Sequence, residues 1–83
     1  MQRDTMTLAD APVGVEATLV FCLAEPQMRS RLSTLGMRCG VPVEVVRRTA
    51  GGGRIVGVAG ARIALDRSIL EKLHVRLPAG VSA

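Results

Sequence analysis

Three side chains of this 83-residue chain could together bind a metal ion: Cys22, Cys39 and His74. The two cysteines lie 17 positions apart, which matches none of the C-x-x-C spacings typical of structural zinc sites. A free cysteine more often packs as a small hydrophobic residue, and a single histidine in a strand more often has no special role. The sequence therefore predicts no metal and no cofactor, and a site formed by these three residues remains the less favoured alternative.

The other polar residues form no arrangement typical of an active site. The carboxylates of the folded part are isolated from one another, and Asp66 and Glu71 are explained by the start of a helical turn. The glycine run 51–53 is not followed by Lys-Ser or Lys-Thr and lies between two predicted strands, so it lacks the context of a phosphate-binding loop. Because no pair of groups is suited to acid–base work, we predict that the protein is not an enzyme.

The charge balance is basic. Eleven Lys and Arg face seven Asp and Glu, for a net charge of +4, and all but one of the basic residues are arginine. This charge fits an acidic partner, whether nucleic acid, membrane or protein, although it also fits a plainly solvated surface. Phe21 is the only aromatic residue and is expected in the core, whereas single-strand readers stack bases on exposed aromatics. We therefore predict a protein partner and no nucleic acid, with nucleic-acid binding kept as the alternative.

Cysteine usage and hydropathy point to the cytoplasm. Two cysteines are too few for the disulfide framework of a small secreted domain, and the opening MQRDTMTLAD lacks the apolar region of a signal peptide. The longest apolar stretch, around residues 17–24, is about half the roughly 20 residues that a membrane-spanning helix needs. A cytoplasmic protein with reduced thiols is expected.

The first half of the chain predicts a strand, a helix and a sharp corner. Apolar residues alternate from residue 15 to residue 21, which is typical of a strand with one better-buried face. Pro26 suits the first turn of a helix. Met28, Leu32 and Leu35 recur at helical spacing and predict one buried helix face ending near Leu35. Gly36 then stands where a helix commonly stops in a left-handed conformation.

The second half predicts short strands separated by glycine turns. Valines alternate from residue 41 to residue 45 and again at residues 56 and 58, with the turn 49–53 between them. Gly40 and Gly60 mark further turns, and Gly60 precedes a fourth strand. Residues 68–71 have the spacing of a capping box, which predicts one helical turn. A last strand runs over residues 74–77 and stops at Pro78.

These elements predict a mainly β fold: a small β-barrel of about five strands, with a short helix after the first strand and a helical turn before the last. We expect residues 7–77 to form the domain, residues 1–6 a flexible N-terminus and residues 78–83 a frayed tail. The expected core is aliphatic and drawn from every element: Leu8, Val15, Ala17, Leu19, Leu32, Leu35, Val43, Val45, Val56, Val58, Ile63, Leu65, Leu70, Leu73 and Val75.

The corner also carries a family resemblance. Its pattern, R-L-x-x-L-G-M-x-x-G-x-x-V from Arg31 to Val43, resembles the signature of the FeoA family of small proteins of bacterial ferrous iron uptake. The resemblance spans residues 7–77 and is carried further by Thr7-Leu8, Gly14, Gly60, the segment Arg62–Leu65, and Leu73-x-Val75.

The resemblance implies a fold, a role and a partner. It implies an SH3-like barrel without catalytic activity, which acts alongside the ferrous iron permease FeoB at the cytoplasmic face of the membrane. The partner would be the cytoplasmic GTPase domain of that permease, with membrane contact only through it. A stand-alone barrel that binds nucleic acid or another regulatory protein is the alternative, and a homo-oligomer is left open.

Two departures from the family pattern are visible. The family often carries Gly-Asp-Pro before its third strand, where this chain has Gly51-Gly52-Gly53-Arg54. It also tends to carry Arg directly after the fourth strand, where this chain has Asp66. The hairpin at residues 47–54 is therefore expected to be more flexible and more basic than usual.

A partner surface is expected at the helix and its exit. If Met28, Leu32 and Leu35 face inward, the remaining helix and corner residues face solvent. An aliphatic spot rimmed by arginines would suit an acidic surface, because Arg pairs with carboxylates through a bidentate fork. The basic hairpin is the second choice for this surface, and plain solvation of the helix is the competing interpretation. The predicted partner-binding residues are Arg29, Arg31, Met37 and Arg38.

Overall fold

The structure is a computed structural model and describes residues 5–81 of the chain. The ends of the two predicted terminal segments, residues 1–4 and 82–83, lie outside the described residues. The elements in chain order are β1 (Thr5–Thr7), β2 (Glu16–Cys22), α1 (Pro26–Thr34), β3 (Pro42–Arg48), a short 3-10 turn (Ala50–Gly52), β4 (Arg54–Val58), β5 (Ala61–Leu65), α2 (Arg67–Leu70) and β6 (Leu73–Arg76).

The described strands form one antiparallel sheet in the order β1-β6-β2-β3-β4-β5. The mainly β fold, the helix after β2 and the helical turn before the last strand agree with the sequence prediction. The strand count does not, because β1 pairs with β6 through Thr5 and Arg76 and raises it from five to six. Residues 5 and 6, predicted as flexible, belong to this strand. A strand of three residues is too short to show a period-two pattern.

Two β-bulges change which side chains face the core. One interrupts the pairing of β2 with β6 between Leu19 and Phe21, and the other interrupts β3 with β4 between Val45 and Arg47. An extra residue in a strand bends it and inverts its alternation. Cys22 consequently packs against the core, whereas Phe21 stacks on His74 with ring centroids 4.3 Å apart. The expectation of a core Phe21 was therefore wrong, and Cys22 packs on the side of Leu19, where strict period-two alternation would have placed it on the opposite face.

The core lies on one side of this sheet and contains most of the predicted aliphatic residues. Val15 and Ile63 are only half-buried at its edge. The loop after β1 closes one end of the core through Leu8 and Ala11, a contribution that the alternation of the strands does not reveal. Buried apolar residues that the sequence prediction omitted are Ala9, Ala11, Ala24, Met37 and Leu77.

The helix α1 ends in a Schellman motif. The Gly36 N–H donates to the Ser33 carbonyl at 3.0 Å, and the Met37 N–H donates to the Leu32 carbonyl at 2.9 Å. These two bonds satisfy carbonyls that the end of a helix would otherwise leave without partners. Gly36 has a φ of +99°, a conformation that costs other residues free energy because of their Cβ atom.

The turn between β4 and β5 packs against this helix end. Its central residues, Ala59 and Gly60, have φ values of +52° and +79°, the pattern of a type I′ hairpin turn. A Cβ atom added to Gly36 would lie only 3.0 Å from the Cβ of Ala59. Gly36 is therefore restricted both by its own backbone and by its neighbour, whereas Gly40, with a φ of +93°, has no atom within 4 Å of such a Cβ.

Gly36→Ala should lower the free energy of unfolding by more than Gly40→Ala does. Both changes place a Cβ on a left-handed residue, at a cost of about 1–2 kcal/mol, but only the first also crowds Ala59. Ala59→Gly also relieves the positive φ of residue 59 itself, so it should stabilise both variants, and by about 0.5–1 kcal/mol more in Gly36→Ala than in Gly40→Ala. Urea unfolding of the single and double variants measures this, and equal recovery in both backgrounds would contradict the contact.

Candidate partner-binding groove

The groove forms beside the second half of β2, beyond the point where its ladder with β3 ends. Its first residues pair with β3, and its later residues, up to Cys22, pair with β6. Between them, the Leu19 carbonyl accepts from the Gly40 N–H at 2.7 Å, and the Leu19 N–H donates to the Val41 carbonyl at 2.9 Å. These bonds hold the corner after α1, residues 36–40, beside the second half of β2.

The corner, the helix and β2 enclose a groove of about 380 Å³, which we call the corner groove. Its lining is mostly apolar on the β2 side and cationic on the helix and corner side. The lining residues are Leu19, Phe21, Cys22, Arg29, Ser33, Met37, Arg38 and Cys39.

Positive charge dominates the corner groove. Arg29 and Arg38 are both exposed and line it, and no carboxylate among residues 5–81 does so. The Nε of Arg38 donates to the Ser33 hydroxyl at 3.3 Å, which ties the guanidinium stem to the helix. A cationic rim above an apolar floor can bind an acidic group through a guanidinium fork and cover apolar surface at the same time.

Met37 forms part of the floor of this groove instead of standing at its surface. It is 4% exposed, although the sequence analysis placed it on an exposed aliphatic spot. The reason is the Schellman motif, in which the residue after the glycine packs on the residue four positions before the glycine, here Leu32. Leu35, expected in the core, is 47% exposed. It is the C-cap residue of α1, and its side chain does not lie on the buried face that Leu32 occupies.

The predicted partner-binding residues are therefore divided by the structure. Arg29 and Arg38 line the corner groove, Met37 lies beneath it, and Arg31 is exposed on the helix outside it. The glycines predicted to form turns, at positions 36, 40 and 60, all have positive φ values. Cys22 and Cys39 were not predicted to belong to the partner surface. The bulge in β2 brings Cys22 to the groove, and no sequence pattern marks that bulge.

The candidate metal ligands are not assembled. Cys22 and Cys39 both line the corner groove as free thiols, but His74 stacks on Phe21 and does not line it. Within residues 5–81, no group of three or more His, Cys, Asp or Glu side chains is placed to hold a metal ion.

A second groove, of about 510 Å³, lies over β3, β4 and β5. Glu16, Glu44 and Arg62 are among its lining residues. Because it mixes both signs of charge, this groove does not select an acidic partner as clearly as the corner groove does.

The fold and these surface grooves define a small SH3-like domain. The FeoA protein of Stenotrophomonas maltophilia, solved in complex with zinc and described as a prokaryotic SH3 domain protein, is 29% identical over 84% of this chain and 88% of its own, with a TM-score of 0.72. The FeoA protein of Chlorobium tepidum is 29% identical over 94% of this chain and 75% of its own, with a TM-score of 0.84.

The chain belongs to the FeoA family, because a sequence model of the FeoA domain matches residues 6–77. This family is associated with ferrous iron transport. A manganese-dependent transcriptional repressor shares the fold, at 21% identity over 89% of this chain and 42% of its own, with a TM-score of 0.79. No curated protein matches the chain. Among the described residues, no helix is long and apolar enough to cross a membrane.

Helical spacing predicts that Leu35→Ala destabilises the fold more than Met37→Ala. The structure predicts the reverse ranking. Met37→Ala leaves a cavity beneath the corner groove and should lower the free energy of unfolding by about 2–4 kcal/mol. Leu35→Ala removes an exposed side chain and should change it by less than about 0.5 kcal/mol. Chemical denaturation of the two variants checks this, and a larger loss for Leu35→Ala would show that the helix end is wrongly placed.

Proposed function

We propose that this protein is a non-enzymatic accessory protein of ferrous iron uptake, which binds the cytoplasmic GTPase domain of a FeoB-type permease and modulates it. Its membership of the FeoA family supports the assignment to ferrous iron transport. The observation that carries the proposed mode of binding is the corner groove, where the described part of the chain places two exposed arginines and no carboxylate.

Binding at this groove would use two kinds of contact. Arg29 and Arg38 would pair with carboxylates of the permease domain, since guanidinium groups bind carboxylates through two parallel hydrogen bonds. Leu35 is a large hydrophobic residue at the helix end that is 47% exposed and lies outside the groove lining, so a partner that also covers it would gain about 1 kcal/mol of gross binding free energy. The mixture of charged rim and apolar contact is typical of interfaces that form and dissociate.

A relative gives this role further support. The Stenotrophomonas maltophilia protein is described as a candidate activating factor of bacterial ferrous iron transport. We extend that role to this chain, with the cytoplasm as its location and protein contacts as its only means of action.

Reversing the charge of the corner groove should weaken binding to the permease. Arg29→Glu/Arg38→Glu should raise the Kd for the purified GTPase domain by at least about tenfold, or 1.4 kcal/mol. Its melting temperature should stay close to that of the unmodified protein, because exposed charges contribute little to stability. Isothermal titration calorimetry measures the Kd with and without bound nucleotide.

The matched control is Arg47→Glu/Arg62→Glu, which changes the net charge equally at exposed positions outside the corner groove. It should leave the Kd within about twofold. If the control weakens binding as much as the groove variant, the contact is nonspecific or lies at the β3–β4 hairpin. If the unmodified protein binds single-stranded nucleic acid and not the GTPase domain, the permease assignment is wrong.

A further inference from the structure

A buried arginine lies at the start of β4, far from the corner groove in sequence. Arg54 is 8% exposed and is the only buried charged residue of the described chain. It faces the same side of its strand as Val56 and Val58, so its guanidinium lies at one end of the core. The sequence predicts it within a flexible, basic hairpin and gives no sign of its burial. Its Nη1 donates a hydrogen bond to the Ala11 carbonyl, in the loop after β1.

This buried cation has no carboxylate partner within residues 5–81. Glu71 is paired with Arg67 instead, with Nε and Oε2 3.0 Å apart. Asp66 accepts from the Ile69 N–H and the Ser68 hydroxyl. Burying a charge without a counter-charge is costly, and a single carbonyl oxygen supplies only a dipole.

Two further arginines increase the positive charge around Arg54. Arg48 is its direct neighbour across the β3–β4 pair, and like charges at such positions destabilise a sheet. Arg67 begins α2, and its Cδ lies against the glycine turn, 3.1 Å from where a Cβ of Gly52 would be. Burial, and next the charge of Arg48, lower the pKa of the Arg54 guanidinium, while Asp10 acts in the opposite direction.

The guanidinium of Arg54 keeps donors that make no hydrogen bond within the described chain. Its one hydrogen bond uses Nη1. In the described chain, no fully buried side-chain nitrogen lacks a hydrogen-bond partner. Any nitrogen of Arg54 without a partner therefore retains contact with solvent. The guanidinium is thus anchored to the Ala11 carbonyl through Nη1, while its nitrogens without a partner keep some contact with solvent.

We propose that Arg48, Arg54 and Arg67 form a binding site for a phosphate monoester, at the end of the sheet where β3, β4 and α2 meet. The charge of Arg67 is offset by Glu71, so Arg48 and Arg54 leave about two positive charges without carboxylate partners. A phosphate monoester carries about −1.5 to −2 at pH 7, whereas a single carboxylate carries at most about −1. The dianion therefore matches the site better, and guanidinium forks fit its oxygen atoms.

The site lies outside the corner groove and does not depend on the proposed contact with the permease. None of its three arginines lines that groove. A phosphate ligand would join β3, β4 and α2 where the like-charged pair Arg48 and Arg54 now weakens the sheet. Its binding should therefore raise the stability of the folded state.

The first test is inorganic phosphate with the full chain. The melting temperature should rise with added phosphate and should not rise with chloride at equal ionic strength, since a ligand of the folded state stabilises it by mass action. Arg48→Gln removes one exposed guanidinium group with its charge and should weaken phosphate binding by about tenfold or more. Arg62→Gln, an exposed arginine elsewhere on the sheet, should leave the phosphate response unchanged.

Arg54 needs a variant that still folds. Arg54→Lys keeps a donor for the Ala11 carbonyl but loses the fork, and it should fold while losing most of the phosphate response. Side-chain Nε–H resonances provide a direct readout: phosphate should shift those of Arg48 and Arg54 in the unmodified protein and leave that of Arg62 in place. Equal responses to phosphate and chloride, or an equal loss in Arg62→Gln, would overturn the proposal.

Three sources of the same group can then be compared: inorganic phosphate, a nucleoside monophosphate, and phosphatidylcholine vesicles containing phosphatidic acid. The ligand with the lowest Kd identifies the source of the phosphate group, provided that its binding is lost in Arg48→Gln. Vesicle binding that persists in Arg48→Gln and Arg54→Lys would reject the site for lipids. Absence of binding by all three would show that Arg54 only closes the end of the core.

Discussion

Leu32 and Met37 meet at the end of α1 because Gly36 takes a φ of +99° between them. That single reversal sends the chain back across β2, where Gly40 and Val41 bond to Leu19. The corner groove exists because of this path: its arginines come from the helix and the corner, and its apolar side comes from β2. The close approach of Gly36 to Ala59 fixes the helix end against the sheet.

The architecture was largely predictable from the sequence, because alternating valines and glycine turns signal short strands over much of the chain. The exceptions have local causes. A three-residue β1 is too short for its pattern to appear, and the bulge in β2 exchanges the faces of Phe21 and Cys22. The burial of Met37 was within reach of the sequence, since Leu32 and Met37 flank Gly36 at the spacing of a Schellman motif. Helical periodicity alone favoured Leu35 instead.

The candidate site was predictable only in part. The exposure of Arg29 and Arg38 was predictable, because helix and corner positions opposite an apolar face must meet solvent. The groove that both arginines line was not predictable, because it depends on the tertiary position of β2. Arg54 was missed for a similar reason, since nothing in a basic hairpin sequence indicates that one guanidinium turns inward to bond the Ala11 carbonyl.

The central claim is that the corner groove is the surface that binds the permease, and amide chemical-shift mapping tests it most directly. Isotope-labelled protein would be titrated with the purified, unlabelled GTPase domain of the cognate permease. We predict that the largest shifts fall on residues of the corner groove, such as Cys22, Ser33 and Cys39, while those of the second groove, such as Gly57 and Ala61, stay nearly unchanged. Shifts confined to the second groove or to the β3–β4 hairpin would contradict the account.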